Sequence, residues 1–336
     1  MAKKITIKEI ADACGVSPAT VSRVINHNPM VKSNTVKLVE DTMIALGKPI
    51  NSGSGIDDED RLVIILNIPD FDNMFYQQII SGAYTSANAH KCDILVNQSP
   101  LDKASMPSFL HLIKKINASG VILLNHISVD SLNRIHNIVP VVQCSEYNDE
   151  ANLPFVSINN YASAKNATKH LLSVGRNKLA FINGPLNYKY SVERRRGFVD
   201  AMNEAGLSVP LKWMIQLPKI DYDMAYTAVT QLMDDRIIPN GFFCVSDTLA
   251  AAVTRAVSAQ RLKVPDDVAV VGFDNLQLST VTRPSLSTIS QPSHQLGYTA
   301  CEMVFDIINS GESTSRIFLG TELIVRESTT IQKKRI

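Results

Sequence analysis

Two textures of hydrophobic spacing divide the chain. Over residues 5–47 apolar side chains recur at helical intervals. Ile7, Ile10, Ala11 and Cys14 share one face of a first helix, and Val21, Val24 and Ile25 one face of a second. Val36, Val39, Met43 and Leu46 face inward from a third helix that runs from about Ser33 to Leu46. The punctuation agrees with three short helices. Gly15 permits a turn that needs positive φ. Ser17 is a good N-cap, and Pro18 stands at the first helical position, where the amide has no partner to lose. Gly47 closes the third helix.

From Leu62 the pattern changes to short, almost wholly apolar runs: Leu62–Ile68, Cys92–Val96, Val121–Leu124, Pro140–Val142, Leu179–Ile182, Gly241–Val245 and Val268–Phe273. Stretches of helical length lie between them, as in parallel strands covered on both faces. Two such halves are visible, about 62–159 and 160–290, and the tail from Leu286 to Thr330 predicts further strands that cross between them. Residues 48–61, rich in Gly, Ser and consecutive acids, disfavour a stable element and read as a linker. The predicted fold is a small all-α helix-turn-helix head followed by an α/β body with parallel sheets.

The chain has 336 residues, 45% hydrophobic and 19% charged, an ordinary globular composition with room for a large core. No apolar run approaches a membrane span, so no membrane partner is expected. The first residues lack a signal-peptide stretch, and five widely spaced cysteines without a C-x-x-C suit reduced thiols. Both point to the cytoplasm. No phosphate loop, nucleophile elbow or H-x-x-x-H spacing occurs, so neither an enzyme nor a cofactor or metal site is expected. Net charge is only +1, but residues 1–50 hold seven basic side chains against four acidic ones, which fits a DNA-contacting head.

A helix entering a major groove needs an apolar back and a small, polar front. Pro18, Ala19, Thr20, Ser22 and Arg23 supply that front. Arg23 suits the O6 and N7 acceptors of guanine, and Ala19 a thymine methyl. Ser17, Thr6, Asn26 and Thr35 suit phosphate oxygens. The bland reading is a three-helix capping domain with incidental polar residues. The segment Ile10-Ala-x-x-Cys-Gly-Val-Ser-x-Ala-Thr-Val-Ser-Arg-Val-Ile-Asn26 resembles the DNA-binding head of the LacI/GalR family. Pro69 to Tyr76, Arg194-Arg-Arg-Gly-Phe198, Val245-Ser-Asp-Thr-Leu-Ala250, Gly272-Phe-Asp-Asn275 and Thr288-Ile-Ser-Gln-Pro292 resemble later landmarks of that family, in order.

The resemblance implies a head (1–47), a linker (48–61) and a two-lobed, periplasmic-binding-protein-like sensor (62–330), with a short tail (331–336). It assigns about 62–159 plus 291–318 to one lobe and about 160–290 plus 319–330 to the other. It also implies a homodimer on double-stranded operator DNA, acting as a repressor of carbohydrate-catabolic genes. The linker departs from the family. Ser54-Gly55 stands where Ala-Arg is usual, and Asp57 where a leucine wedges the minor groove. Each interior glycine costs a helix about 1 kcal/mol, and an acid cannot serve as an apolar wedge. A sensor with weakened DNA binding is therefore the alternative.

Ligands of open parallel sheets sit outside the carboxyl ends of the strands. The candidates there are Asn73, Phe75, Tyr76, Ser145, Glu146, Arg194, Ser246, Asp274 and Gln291. Each has a bland alternative: Phe75 and Tyr76 as helix core, Arg194 as part of a solvated basic run, Asp274 as a turn cap. The resemblance favours Arg194 and Asp274, at positions the family uses for sugar or riboside hydroxyls, with Gln291 and Asn73 next. Ser246 replaces a common asparagine, and Ser145 stands where an acid is frequent, with Glu146 beside it. The implied effector is a sugar, sugar phosphate or nucleoside.

Overall fold

In the computed structural model, which describes residues 6–25, 31–46, 61–311 and 315–330, helix α1 (Ile7–Cys14) begins where Thr6 caps it. The Thr6 hydroxyl accepts from the Glu9 amide at 3.3 Å, and the Glu9 carboxylate accepts from the Thr6 amide at 2.8 Å. That exchange satisfies two amides that a helix start leaves without partners. Gly15, at φ 69°, ends α1 in the left-handed region that glycine tolerates. Helix α2 (Pro18–Ile25) follows, with Ser17 Oγ accepting from the Thr20 amide at 3.1 Å. Helix α3 covers Ser33–Ala45.

Ile10, Ala11, Val21, Val24, Val39 and Met43 form the core of this first unit, Met1–Arg61. Burying each of the larger side chains contributes roughly 1.5–3 kcal/mol. Two expected inward positions are outside it: Ile7 is 40% exposed and Leu46 39%. Leu46 follows the last helical residue, so the helical period no longer aims it. Ile7 is the first residue of α1, a turn ahead of the buried Ile10. Asn26, Gly47 and linker residues 48–60 lie outside the described residues.

The second unit, Leu62–Ile336, holds two six-stranded sheets. The first uses β1 (Val63–Ile68), β2 (Asp93–Gln98), β3 (Gly120–Leu123), β4 (Val141–Cys144), β5 (Phe155–Ile158) and β11 (Arg316–Leu319), in the order β11-β5-β4-β3-β1-β2. All its pairings are parallel. The second uses β6 (Leu179–Asn183), β7 (Met214–Gln216), β8 (Gly241–Cys244), β9 (Ala269–Asp274), β10 (Ser287–Ser290) and β12 (Glu322–Ile324), in the order β12-β10-β9-β8-β6-β7. Here β12 runs antiparallel to β10 and caps the edge.

Helices α4 (Phe75–Ala89), α5 (Met106–Lys115) and α6 (Val129–His136) connect the first sheet. Helices α7 (Asn160–Ser173), α8 (Lys189–Glu204), α9 (Tyr222–Met233), α10 (Asp247–Ala259) and α11 (Leu278–Val281) serve the second. After β10, α12 (Ser293–Ser310) returns to pack on α4, β11 joins the first sheet, and β12 goes back to the second. The chain thus passes between the lobes three times, as the crossing tail requires. Two strands escape the apolar-run pattern. β5 carries Ser157, whose hydroxyl donates to the Ser145 carbonyl at 2.6 Å. β7 is a three-residue edge strand that is not fully buried.

Candidate functional site: an interlobe cleft and a helix-turn-helix head

Five strands bring one to three of the candidate side chains each to the cleft, at their ends or just beyond them. Asn73, Phe75 and Tyr76 follow β1, and Ser145 and Glu146 follow β4. Ser246 follows β8, Asp274 ends β9, Gln291 follows β10, and Arg194 projects from α8. All nine surround a single cavity of about 30 Å³, together with Leu124, Tyr190, Ile220 and Val245. That volume holds roughly one or two waters, well below the roughly 300 Å³ at which small-molecule sites begin. A neighbouring cavity of about 500 Å³ shares Phe75, Asp274 and Gln291 with it, and a ligand the size of a monosaccharide requires the smaller space to widen.

Arg194 is the centre of the polar network. Its Nε donates to Asn160 Oδ1 at 2.9 Å and its Nη1 to the Val245 carbonyl at 2.6 Å. The guanidinium lies 3.4 Å from the centroid of the Phe273 ring and 5.0 Å from that of Tyr190. Asp274 stands 3.7 Å from Nη1, an ion pair without a direct hydrogen bond. Gln291 Nε2 donates to Asp274 Oδ1 at 2.6 Å. Burial pushes the Asp274 carboxyl up to about 6, against the pull of Arg194, Gln291 and Ser246. Burial also lowers the Arg194 guanidinium from its ordinary value, with Asp274 opposing.

Glu146 reaches across the cleft. Its carboxylate accepts from the Lys189 amide at 2.8 Å and the Tyr190 amide at 3.0 Å, the first amides of α8 in the other lobe. Burial pushes it up to about 7, with these amides, Arg194 and Lys189 working the other way. Three of the seven described non-glycine residues with positive φ lie here. Ser145 has φ 67°, Asp274 φ 104° and Asn275 φ 56°, conformations that cost a non-glycine residue on the order of 1–3 kcal/mol and gather at ligand clamps. Phe75 and Tyr76 are both buried; Phe75 and Tyr76 belong to the core and line the cavity as well.

Sequence reasoning missed Asn160 and the Val245 carbonyl as partners of Arg194. Asn160 opens α7 directly after the cap Asn159, so a buried asparagine at a helix start was the available signal. A backbone carbonyl leaves none. Among the described residues, no group of three or more His, Cys, Asp or Glu is placed to hold a metal. No described helix is long and apolar enough to cross a membrane.

In the head, Ser17, Pro18, Ala19 and Arg23 are exposed along α2, while Thr20 and Ser22 are half-buried. Thr35 is half-buried in the first turn of α3. Val21 and Val24 hold the opposite face of α2 in the core. Three of the hydroxyls already have local duties. Thr6 Oγ1 lies 3.1 Å from Glu9 Oε2, and Ser17 Oγ lies 2.8 Å from Thr20 Oγ1.

Comparison with known proteins agrees with both parts. Residues 6–47 match the family of bacterial regulatory proteins, lacI family, and residues 168–329 match a periplasmic binding protein-like domain. The HTH-type transcriptional repressor CytR of Escherichia coli (strain K12) is 30% identical over 329 residues, 96% of each chain. Catabolite control protein A of Priestia megaterium is 29% identical over 320 residues, 93% of this chain and 95% of that one. Among solved structures, a transcriptional regulator CelR–cellobiose complex superposes with a TM-score of 0.72 at 25% identity, covering 97% of this chain and 100% of the other. The lac repressor dimer bound to operator and the anti-inducer ONPF superposes with a TM-score of 0.75 at 21% identity, covering 98% and 100%.

Proposed function

The chain belongs to the lacI family of bacterial regulatory proteins, and from that premise we propose how this repressor reads DNA and what sets its affinity. The α2 front of Pro18, Ala19, Thr20, Ser22 and Arg23 enters the major groove, with Arg23 reading a guanine edge. Ser17, Asn26 and Thr35 position the head on phosphates, and Thr6 contributes from the capped start of α1. Two heads of a dimer occupy two half-sites. A sugar-like effector binds between the lobes on Arg194, Asp274 and Gln291, with Asn73, Ser145, Glu146 and Ser246 around it and Phe75 and Tyr76 as apolar walls. The protein acts in the cytoplasm, binds rather than converts its ligand, and governs carbohydrate-catabolic genes.

The observation that carries this reading is the convergence of eight side chains from the ends of five strands, with Arg194 of α8, on one interlobe cavity, in a chain that also has a basic head. Electrophoretic shift with DNA from its own promoter tests the first half. Arg23→Ala is expected to weaken specific binding by about 1–3 kcal/mol while leaving the melting temperature unchanged. Equal binding by both proteins would count against α2 as the reading helix.

The second reading, a sensor with weakened operator binding, is favoured by Gly53, Gly55 and Asp57 in the linker. Without an apolar wedge, operator kinking is weaker and affinity depends on the heads alone. Hydrogen exchange on the operator complex separates the two: strong protection across residues 50–58 would remove the second reading.

A further inference from the structure

The charged side chains that line the cleft are two carboxylates and one guanidinium. The carboxylates of Glu146 and Asp274 both line it. Arg194 is the one guanidinium among the described lining residues, and two of its nitrogens are committed to neutral oxygens, on Asn160 and Val245. The amide of Gln291 has a fixed orientation, because Nε2 points at Asp274 and the reverse would set oxygen against carboxylate. Its Oε1 is consequently buried with no partner. An unmet buried acceptor costs about 1–3 kcal/mol, which a donor from the ligand would recover. Phe75, Tyr76 and Tyr190 line the same space, Tyr190 with the Arg194 guanidinium over its ring.

Aromatic faces and carboxylates together favour a cation, through ring quadrupole and charge. An anionic group would meet two carboxylates instead. Resting on the assignment of the cleft as effector site, we propose that the effector is an aminated polyol. Its hydroxyls donate to Gln291 Oε1 and Asp274, and its ammonium lies against Glu146 between the rings. A neutral sugar leaves Glu146 with only the Lys189 and Tyr190 amides and the flanking His126, Lys189 and Arg194 to offset its charge, and a phosphate ester adds repulsion. Burial already holds the Glu146 and Asp274 carboxyls above their ordinary values, and a cation beside them would bring both down.

Isothermal titration of the full chain with matched triples tests this: glucose, glucosamine and glucosamine 6-phosphate, then the galactose and mannose counterparts. In at least one triple the free amine is expected to bind about tenfold or more tighter than its hydroxyl congener, a difference of about 1.4 kcal/mol. The phosphate ester is expected to be weaker than the free amine. Glu146→Gln should bring amine and hydroxyl congeners to within about twofold. Asp274→Asn should narrow the same gap and serves where Glu146→Gln does not fold. If the amine outbinds its congener in no triple, the proposal falls. A neutral sugar that binds best, and is lost in Arg194→Ala, overturns the amine while leaving the cleft as effector site. A ligand whose binding survives Arg194→Ala unchanged removes the site itself.

Discussion

Arg194 stands in a run of three arginines, and helical geometry alone decides which of them is withdrawn from water. Ser191, Arg194, Gly197 and Phe198 lie on the buried face of α8, while Arg195 and Arg196 are exposed. The sequence singled out Arg194 through the family resemblance rather than spacing, and the structure adds that Phe198, four residues on, shares its inward side. The carbonyl that accepts from Arg194 was not legible, because it belongs to a chain turn rather than to a residue type. Glu146 shows what such burial does to a charge. Tyr76, Tyr188 and Tyr190 crowd it, and Arg194, Lys189 and two α8 amides only partly offset its desolvation. With its folded value raised from 4.5 to about 7, the folded protein holds the proton more tightly than the unfolded chain. The associated stability is therefore fully present below pH 4.5 and is lost as pH rises through about 7. The loss is on the order of 3 kcal/mol. Glu146→Gln does not titrate, so urea melts between pH 4.5 and 8 are expected to show a shallower decline in the variant. Parallel curves would mean that Glu146 is not the group responsible.

Among the elements, the strands with continuous apolar sequence were the legible ones, because a parallel strand buried on both faces has no polar side to show. β5 and β7 were not, one holding a buried serine with its own acceptor and the other ending a sheet. The packing of α4 against α12 was equally hidden. It depends on two glycines in different elements, Gly82 and Gly297. A Cβ on Gly82 would overlap the His294 carbonyl, and one on Gly297 would overlap that of Ile79. Both obstacles are backbone, which cannot swing aside as a side chain can. Gly82→Ala is thus expected to lower stability by about 3 kcal/mol or more, since overpacking here must displace a helix. Gly206→Ala is the control, with open space around its Cβ and only a positive φ to strain it. Its expected loss is about 1 kcal/mol. Chemical denaturation of the two variants checks the order, and a similar small loss in both would show that the helices adjust freely.

At the scale of the whole sensor, the question is what holds two lobes closed over so small a cavity. Three chain crossings join the lobes, and on the cleft side one loop grips one helix start. Glu146 takes the first two amides of α8, Asp149 pairs with Lys189, and the Lys189 ammonium lies 4.8 Å from the Tyr147 ring centroid. The exposed Asp149–Lys189 pair contributes about 0–1 kcal/mol. A hydrogen bond to a carboxylate contributes about 1.5–3 kcal/mol, and although burial still outweighs the two amides in the net balance of ionised Glu146, they make it the stronger half of the grip. An effector that needs Glu146 must take it from α8, and only a ligand that binds one lobe arrangement better can shift the balance. The amides of Lys189 and Tyr190 report that balance directly, since their protons exchange when the grip releases. Glu146→Ala is expected to speed their exchange by about tenfold or more, equivalent to at least about 1.4 kcal/mol of lost protection. Lys189→Ala should change the Tyr190 amide by less than about fivefold. Equal acceleration in both variants would place the grip in the surface ion pair, and the lobes would then open without involving the effector's own contacts.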